Sequence, residues 1–234
     1  MKKIAVMQPY LFPYIGYWQL IASVDCFVFY DDANYINKGW INRNRILLHG
    51  EPYKFILPLS HASQNKKINE IFVCPNFLTR KKLLKTITIA YKNTENYKRI
   101  FHIIEKTIMS DGKISDIIYN STQELCEYLG IKTKFYLSSN LQYKKSDSDS
   151  AQEKIIKIVH TLGGDVYINP IGGQHLYSKK FFLENNISLF FINSNINQYK
   201  QKADVFYSNL SIIDILMFNS EENIHKMLNQ YELQ

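Results

Sequence analysis

Residues 3–17 read KIAVMQPYLFPYIGY, and this stretch decides how the fold begins. Residues 3–7 have the apolar composition of a strand. The two prolines and Gly16 then fix a defined loop, because proline restricts φ and glycine lets a backbone approach closely. An amphipathic helix follows, with Tyr17, Leu20 and Val24 on one stripe. Ligands collect where a strand of an α/β sheet leads into a helix, so this stretch predicts a binding site.

A second strand is predicted at residues 26–30, CFVFY, because a continuous run of apolar residues is typical of a strand buried on both faces. It is followed by Asp31 and Asp32. Strand, helix and strand together form a βαβ unit, whose right-handed crossover puts the ends of both strands at one edge of the sheet. We therefore expect the two aspartates to face the first loop across one crevice.

A β-hairpin and a block of helices come next. Residues 40–48 and 53–59 have strand composition and flank the turn signal HGEP, and residues 68–73 indicate a further strand. Apolar residues at helical spacing predict helices at 77–91, 97–109 and 114–129, the last with Gly130 as its C-cap. We interpret this block as a helical insertion at about residues 75–130.

Strands and helices alternate again in the rest of the chain. The pattern predicts strands at 133–138, 165–169 and 189–192, of which the third is the last of the chain. It predicts helices after Ser150, which forms a capping-box pattern with Glu153, and at 210–218 and 221–231. The fold expected is one α/β domain, residues 1–234, with a three-layer, mostly parallel sheet of Rossmann-like or nucleotidyltransferase-like type, a β-hairpin and the helical insertion.

Composition and charge limit the location and the partners. Hydrophobic residues make up 46% of the chain, and neither a membrane-spanning run nor a signal peptide is visible, so we expect a cytoplasmic protein. The net charge of +7 permits acidic partners such as nucleotides, RNA or anionic membranes. The basic cluster at residues 80–85, RKKLLK, is either a solvated helix face or a phosphate-binding face. No metal site is predicted, because the cysteines lack the spacing of metal ligands and are expected to be buried thiols: Cys26, Cys74 and Cys126.

Two arginines in the predicted hairpin are candidate substrate ligands. If residues 40–48 form a strand, Arg43 and Arg45 share one face about 7 Å apart, close enough to clasp a diphosphate or a carboxylate. The alternative is a structural ion-pair network in which they neutralise aspartates: Asp31, Asp32 or Asp214. Asp214 is otherwise a first-turn residue of a helix, where the macrodipole favours a carboxylate.

A second glycine-containing loop follows the strand predicted at 165–169. It reads PIGGQH at residues 170–175, so glycines again stand where a strand leads toward a helix. Of the six histidines, His175 is the one that follows such a loop, and histidine is the usual general base near neutral pH. It is either a base or a polar surface residue.

Five segments together resemble the WbqC-like family of bacterial proteins: QPY at 8–10, PYIGY at 13–17, FYDD at 29–32, GWINRNR at 39–45 and LSIID at 210–214. The resemblance covers essentially the whole chain. Members of this family accompany genes for O-antigen and other surface polysaccharides. The resemblance therefore implies an enzyme that attaches an acyl or aminoacyl group, such as glycyl, to the amine of a nucleotide-linked or lipid-linked deoxyamino sugar.

Amide formation on a sugar amine requires loss of a proton from the attacking nitrogen and stabilisation of an oxyanion. The residues predicted to act as base or to orient the amine are Asp31, Asp32 and His175. The residues predicted to contact the substrate are Gln8, Tyr10, Tyr14, Gly16, Tyr17, Lys38, Asn42, Arg43, Arg45, Gly172 and Gly173.

The first loop is also similar to that of nucleotidyltransferases of the H-x-G-H type, whose two histidines steady the α-phosphate of ATP. Residues 14–17, YIGY, have that spacing, but tyrosine brings no positive charge to a phosphate. An ATP-dependent nucleotidyltransferase or ligase is therefore the alternative function, and a noncatalytic nucleic-acid-binding protein is the third. The acyl donor stays open between an aminoacyl-tRNA, which would use the basic helix near Arg80, an adenylate formed from ATP, and a thioester.

Overall fold

A computed structural model describes residues 1–146 and 148–234. Its strands arise where apolar residues alternate or run together. Within the described residues they are β1 (Lys3–Met7), β2 (Cys26–Phe29), β3 (Arg43–Leu48), β4 (Glu51–Ile56), β5 (Leu59–Ser60), β6 (Phe72–Val73), β7 (Lys134–Leu137), β8 (Val166–Pro170), β9 (Ser188–Ser194) and β10 (Tyr231–Leu233).

The helices follow the apolar period of 3.6 residues. They are α1 (Ile15–Ala22), α2 (Phe77–Tyr91), α3 (Tyr97–Met109), α4 (Ile114–Tyr128), α5 (Ala151–Thr161), α6 (Lys179–Glu184), α7 (Ile212–Phe218) and α8 (Glu221–Leu228). The bounds of α2 and α3 are those predicted. The capping box of α5 is confirmed, because the Glu153 amide donates to Ser150 Oγ at 3.3 Å and the Ser150 amide donates to the Glu153 carboxylate at 2.7 Å.

The central sheet of the described chain has six strands in the order β10-β9-β8-β1-β2-β7. Neighbouring strands are parallel, except that β10 runs antiparallel to β9. The chain builds outward from β1 through β2 to β7, then returns to the other side of β1 and continues through β8 to β9. This reversal creates a topological switch point between β1 and β8, as in Rossmann-like sheets. The predicted fold class is confirmed.

Helices cover both faces of the sheet. Ile4 and Val6 of β1 pack into one layer with α5 and α6, whereas Ala5 packs into the opposite layer with the other helices. A strand buried on both faces is apolar throughout, which is why β2 reads CFVF. The sheet therefore forms the middle of three layers, and its carboxyl edge is left for loops.

The hairpin of β3 and β4 lies outside the central sheet. Leu48 pairs with Glu51, so the turn consists of His49 and Gly50 alone, with φ of 54° and 83°. Two successive residues with positive φ give the turn a twist that matches the strands. The predicted turn was therefore too long, because Glu51 and Pro52 belong to β4.

Several predicted bounds differ from the structure by two or three residues, and two segments differ in kind. Residues 68–73 do not form one strand, because Ile68–Glu70 is a 3-10 helix and only the last two residues, β6, pair with β5. The prediction that residues 189–192 form the last strand is also wrong. Helix α8 ends at Leu228, and β10 follows beside β9. A strand of three residues is too short to give a periodic signal.

The three cysteines are unlinked thiols. Cys26 and Cys126 are buried, as predicted, whereas Cys74 is only half-buried. Burial raises the pKa of the Cys126 thiol, which keeps it protonated.

Candidate functional site

A cavity of about 520 Å³ opens at the switch point, and we call it the switch-point cavity. Its walls come from the loop into α1, from the hairpin, and from the carboxyl ends of β8 and β9. In open α/β sheets this is the place where ligands bind. The lining residues are Tyr10, Pro13, Tyr14, Gly16, Trp40, Asn44, Arg45, Pro170, Ile171, Gly172, Ile192, Asn193, Ser194 and Asn209.

The loop from β1 into α1 is held by hydrogen bonds to its carbonyl groups. The Tyr17 hydroxyl donates to the Gln8 carbonyl oxygen at 2.8 Å. The Phe12 carbonyl oxygen accepts from Asn44 Nδ2 at 2.8 Å and from Ser211 Oγ at 2.7 Å. Phe12 has a φ of 44°, a conformation that side chains with a Cβ rarely adopt, and these bonds stabilise it. The loop is thus shaped before any ligand binds.

Two phenols form an aromatic wall of the cavity. Burial raises the pKa of Tyr10 and of Tyr14, so both hydroxyl groups stay protonated at neutral pH. Tyr14 is also the N-cap residue of α1, and its side chain makes no capping hydrogen bond. The first-turn amides of α1 and their partial positive charge therefore have no side-chain cap at this end.

Arg45 reaches the cavity from β3. Its guanidinium lies 5.8 Å from the centre of the Trp40 ring, and its Nη2 donates to the Asn209 carbonyl oxygen at 3.4 Å. Arg43 lies two residues earlier on the same strand and does not line the cavity. Both arginines are half-buried, and the Nε atom of each is buried without a hydrogen-bond partner.

The ion-pair network considered for these arginines does not form. Among residues 1–146 and 148–234, no carboxylate lies within 4.0 Å of either guanidinium. A half-buried positive charge without a counter-charge is costly unless a ligand supplies one. The arrangement therefore favours an anion, which an arginine fork binds well.

Asp214 has other partners than the arginines. It lies in the first turn of α7, as predicted, but it is fully buried and accepts from the Tyr91 hydroxyl at 2.7 Å and the Tyr199 hydroxyl at 2.8 Å. Burial raises the pKa of Asp214, and these hydrogen bonds oppose the rise. Tyr199 belongs to the segment between β9 and α7, which also carries Asn209. The contact ties this wall of the cavity to the core.

Gly16 allows α1 to approach the cavity wall closely. A Cβ at this position would lie 2.5 Å from Cε2 of Tyr14 and 3.3 Å from Cβ of Ser194. We expect Gly16→Ala to push the Tyr14 ring into the cavity and to weaken ligand binding about tenfold, about 1.4 kcal/mol. A binding titration and a thermal melt of the variant check this. Wild-type affinity in a folded variant would contradict it.

Asp31 turns away from the switch-point cavity, contrary to the expected shared crevice. Its side chain accepts from the Ser139 amide at 2.9 Å and from Ser139 Oγ at 2.7 Å, and it shares the one hydroxyl proton of Ser138, whose Oγ lies 3.0 Å away, with Asp32. The residue is only 1% exposed. Asp31 therefore holds the 3-10 helix Ser138–Asn140 against the end of β2, and a substrate cannot reach it.

Asp32 also faces away from that cavity. It lines a second hollow of about 350 Å³, which we call the lysine hollow and which is formed by Tyr30, Asp32, Ala33, Asn34, Lys67, Tyr143, Lys145, Ser146 and Lys154. The carboxylate accepts from Ser138 Oγ, from Lys145 Nζ and, at 2.9 Å, from the Tyr143 hydroxyl. Burial works to raise the pKa of Asp32, but the hydrogen bonds from Lys145, Ser138 and Tyr143 outweigh it, and the pKa is lowered. Asp32 is thus an anion at neutral pH.

The other predicted site residues are divided between the cavity and its supports. Tyr10, Tyr14, Gly16, Arg45 and Gly172 line the switch-point cavity. Tyr17 is buried behind it, and Asn42 is buried, where its Nδ2 donates to the Leu57 carbonyl oxygen at 2.7 Å. The remaining residues are outside the cavity lining: the exposed Lys38 and His175, and the half-buried Gln8, Arg43 and Gly173.

Several cavity residues were not predicted from the sequence. Trp40 precedes β3, Asn44 lies in β3, and Asn193, Ser194 and Asn209 come from β9 and the segment after it. The rule that ligands bind at carboxyl ends of strands would have indicated Asn193 and Ser194 once the strand order was known. The sequence around Asn209 contains no motif that would have indicated a binding site.

The basic cluster at residues 80–85 is smaller than its sequence suggests. Arg80 is 3% exposed, and its guanidinium donates to the carbonyl oxygens of Cys74, Met109 and Ser110 and pairs with Asp111 at 2.8 Å. It joins α2 to the end of α3. The exposed positive charges of the cluster are its three lysines.

The structure is a doubly wound α/β fold of Rossmann-like type with a cavity at its switch point, and the arginine in the cavity wall has no carboxylate partner among the described residues. The comparison with known families agrees with the motifs of the first loop and of the hairpin. The WbqC-like protein family matches residues 8–226, and the chain belongs to this family.

A curated relative extends the comparison. The uncharacterized protein Rv1507c of Mycobacterium tuberculosis is 25% identical to the chain over 220 residues, which cover 92% of this chain and 93% of that protein. No solved structure matches the chain. None of the described helices has the length and apolar character needed to cross a membrane.

Proposed function

We propose that the chain is a transferase that acts in surface polysaccharide synthesis. It binds a nucleotide-linked or lipid-linked deoxyamino sugar in the switch-point cavity and attaches an acyl or aminoacyl group, such as glycyl, to the sugar amine. Membership of the WbqC-like family supports the polysaccharide context. The observation that carries the proposal is the half-buried Arg45, which has no carboxylate partner within the described chain and faces an aromatic cavity.

The charge of the cavity supports a phosphate-bearing substrate. Nucleotide-linked and lipid-linked sugars both carry a diphosphate or phosphate next to the sugar. The Arg45 guanidinium and the N-terminus of α1 border the same cavity, and both attract anions. A phosphate bound there would supply the counter-charge that Arg45 lacks.

The walls of the cavity support a sugar with an apolar face. Tyr10, Tyr14 and Trp40 offer aromatic surface, and Asn193 and Asn209 offer polar atoms. The volume of about 520 Å³ lies within the usual range of about 300–1,000 Å³ for small-molecule sites. A deoxy sugar has more apolar surface than a fully hydroxylated one, so it fits such walls better.

The chemistry needs a neutral amine more than a strong base. The amine nitrogen attacks the carbonyl carbon of the donor, a C–N bond forms, and the C–O or C–S bond to the leaving group breaks. The ammonium proton passes to the leaving group or to water. The aromatic and apolar walls of the cavity disfavour an ammonium group, because burial disfavours the charged form, and so favour the reactive amine. No carboxylate or imidazole is among the cavity-lining residues of the described chain, which fits a reaction with an activated donor.

The nucleotidyltransferase alternative has less support. In residues 14–17, YIGY, only Tyr14 and Gly16 line the cavity, whereas the Tyr17 hydroxyl donates to the Gln8 carbonyl oxygen. A residue used in this way has no free hydroxyl proton for a phosphate. The two positions of the H-x-G-H pattern therefore do not act as a pair here.

A product assay tests the proposal. The protein is incubated with UDP-linked and dTDP-linked amino sugars and, in turn, with glycyl-tRNA, with glycine and ATP, and with an acyl-coenzyme A. We expect one donor to add its acyl mass to the amino sugar and not to the matched sugar that has a hydroxyl in place of the amine. ATP–pyrophosphate exchange without any acylated sugar would instead support the nucleotidyltransferase, and RNA binding alone would support the nucleic-acid-binding protein.

A further inference from the structure

The lysine hollow is a second concave site at the carboxyl edge of the sheet. It opens beyond β2, where Tyr30 follows the strand, whereas the switch-point cavity opens beyond β1, β8 and β9. Tyr177 lies close to both sites. Like Tyr30, it packs against the core layer that contains α5 and α6, and its Cε2 is 3.7 Å from the position that a Cβ would take on Gly173, the neighbour of the cavity-lining Gly172.

The described residues that line the hollow carry more positive than negative charge. Lys67, Lys145 and Lys154 face one carboxylate, that of Asp32, and Lys145 pairs with it. Among residues 1–146 and 148–234, no carboxylate lies within 4.0 Å of Lys67 Nζ or Lys154 Nζ. Lys154 is half-buried in α5 and lies near Asp149, whose carboxylate pairs with Lys157 instead.

The hollow also offers hydroxyl donors. Burial, with the charge of Asp32 adding to it, raises the pKa of Tyr30 to about 12, so this phenol is a neutral donor at physiological pH. Ammonium groups and a phenol around one small concave surface are suited to the oxygens of a phosphate. The volume of about 350 Å³ is that of a small-molecule site rather than of an RNA groove.

We propose that the lysine hollow binds the phosphate group of the acyl donor, a small nucleotide-type molecule such as an acyl adenylate or a coenzyme A thioester, with Lys154 and Lys67 as its main ligands. This inference rests on the proposed transferase function, because a transferase needs a second substrate site near the first. The ion pair with Asp32 fixes Lys145 at the rim. The two substrates would then approach each other along one edge of the sheet.

Calorimetric titration with ATP and with coenzyme A tests the proposal and distinguishes the two sources of phosphate. We expect one of the two probes to bind the wild-type protein, and Lys154→Ala to weaken its binding about tenfold, since a hydrogen bond to a charged group is lost. Lys67→Ala provides a second variant. Lys180→Ala is the matched control, because Lys180 is 87% exposed and lies outside the hollow, and we expect it to change affinity by less than about twofold.

Two results would overturn the proposal: no binding of either probe to the wild-type protein, or equal affinity of the two hollow variants and the control. If neither probe binds but single-stranded RNA binds tightly and Lys154→Ala weakens that binding, the hollow is an RNA site instead. Arg45→Ala separates the two hypotheses. A probe that binds both Arg45→Ala and the wild type shows that the donor site is independent of the sugar site. If the wild type nevertheless acylates no amino sugar, the donor site is confirmed and the proposed reaction is wrong. If sugars are acylated and Lys154→Ala leaves the donor KM unchanged, the donor site alone fails.

Discussion

Arg45→Ala is expected to weaken binding of a UDP-linked or dTDP-linked amino sugar about 30-fold while leaving the fold intact. The loss corresponds to about 2 kcal/mol, the usual size for hydrogen bonds to a charged group. The free energy of unfolding should fall by less than about 1 kcal/mol, because the guanidinium has no carboxylate partner among the described residues and its hydrogen bond to the Asn209 carbonyl oxygen is long and exposed. Titration of ligand binding and urea denaturation of the same samples measure both quantities.

The hairpin offers a matched control for this variant. Lys54 lies directly opposite Arg45 in the β3–β4 pair, carries the same charge and is exposed outside the cavity lining. Lys54→Ala should therefore leave affinity within about twofold, as is usual for exposed charges. Arg45→Lys should bind with intermediate affinity, because it keeps the charge and loses the two-pronged geometry. A destabilised Arg45→Ala protein with normal affinity would mean that Arg45 is structural.

Asp214→Ala is expected to lower the free energy of unfolding by about 3 kcal/mol. The substitution removes the acceptor of the Tyr91 and Tyr199 hydroxyls and leaves two buried phenols without a partner. It also releases the segment that carries Asn209. Asp204→Ala, an exposed aspartate in the same segment, should change stability by less than about 0.5 kcal/mol. Equal effects of the two substitutions in urea denaturation would contradict a role for this contact.

The same aspartate predicts a pH dependence. The pKa of Asp214 is raised in the folded state, so the fold favours the protonated carboxyl. Its stabilising contribution is fully present below the unfolded pKa, near 3.8, and is lost as pH rises from there through the raised folded pKa. The stability of the wild type relative to Asp214→Asn should therefore decrease with rising pH over this window. A difference in melting temperature that does not change with pH would contradict the prediction.

The local elements of the fold were predictable because their signals lie within one segment. The bounds of α2 and α3 follow from apolar residues at helical spacing, and β1, α1 and β2 follow from residues 3–30. The hairpin was predicted as well, but its two-residue turn depends on positive φ at His49, which composition does not reveal. The strand β10 had too few residues for a periodic signal.

The candidate site was only partly predictable, because it depends on contacts between distant segments. Neighbouring parallel strands end at the same edge of the sheet, so the prediction that Asp31 and Tyr10 lie at one edge was correct. The direction of parallel strands does not determine toward which neighbouring strand the loop at the end of a strand turns. Asp31 turns toward β7 because Ser138 and Ser139, more than 100 residues away, donate to it. Likewise, the burial of Arg80 depends on carbonyl groups at the end of α3.

The most direct test of the central claim is the position of a UDP-linked or dTDP-linked amino sugar soaked into crystals of the protein. We predict electron density in the switch-point cavity, with the diphosphate beside Arg45 and the N-terminus of α1 and with the amino sugar against Tyr10 and Tyr14. Density for the ligand only in the lysine hollow, or an empty switch-point cavity at ligand concentrations that support acylation, would contradict the account.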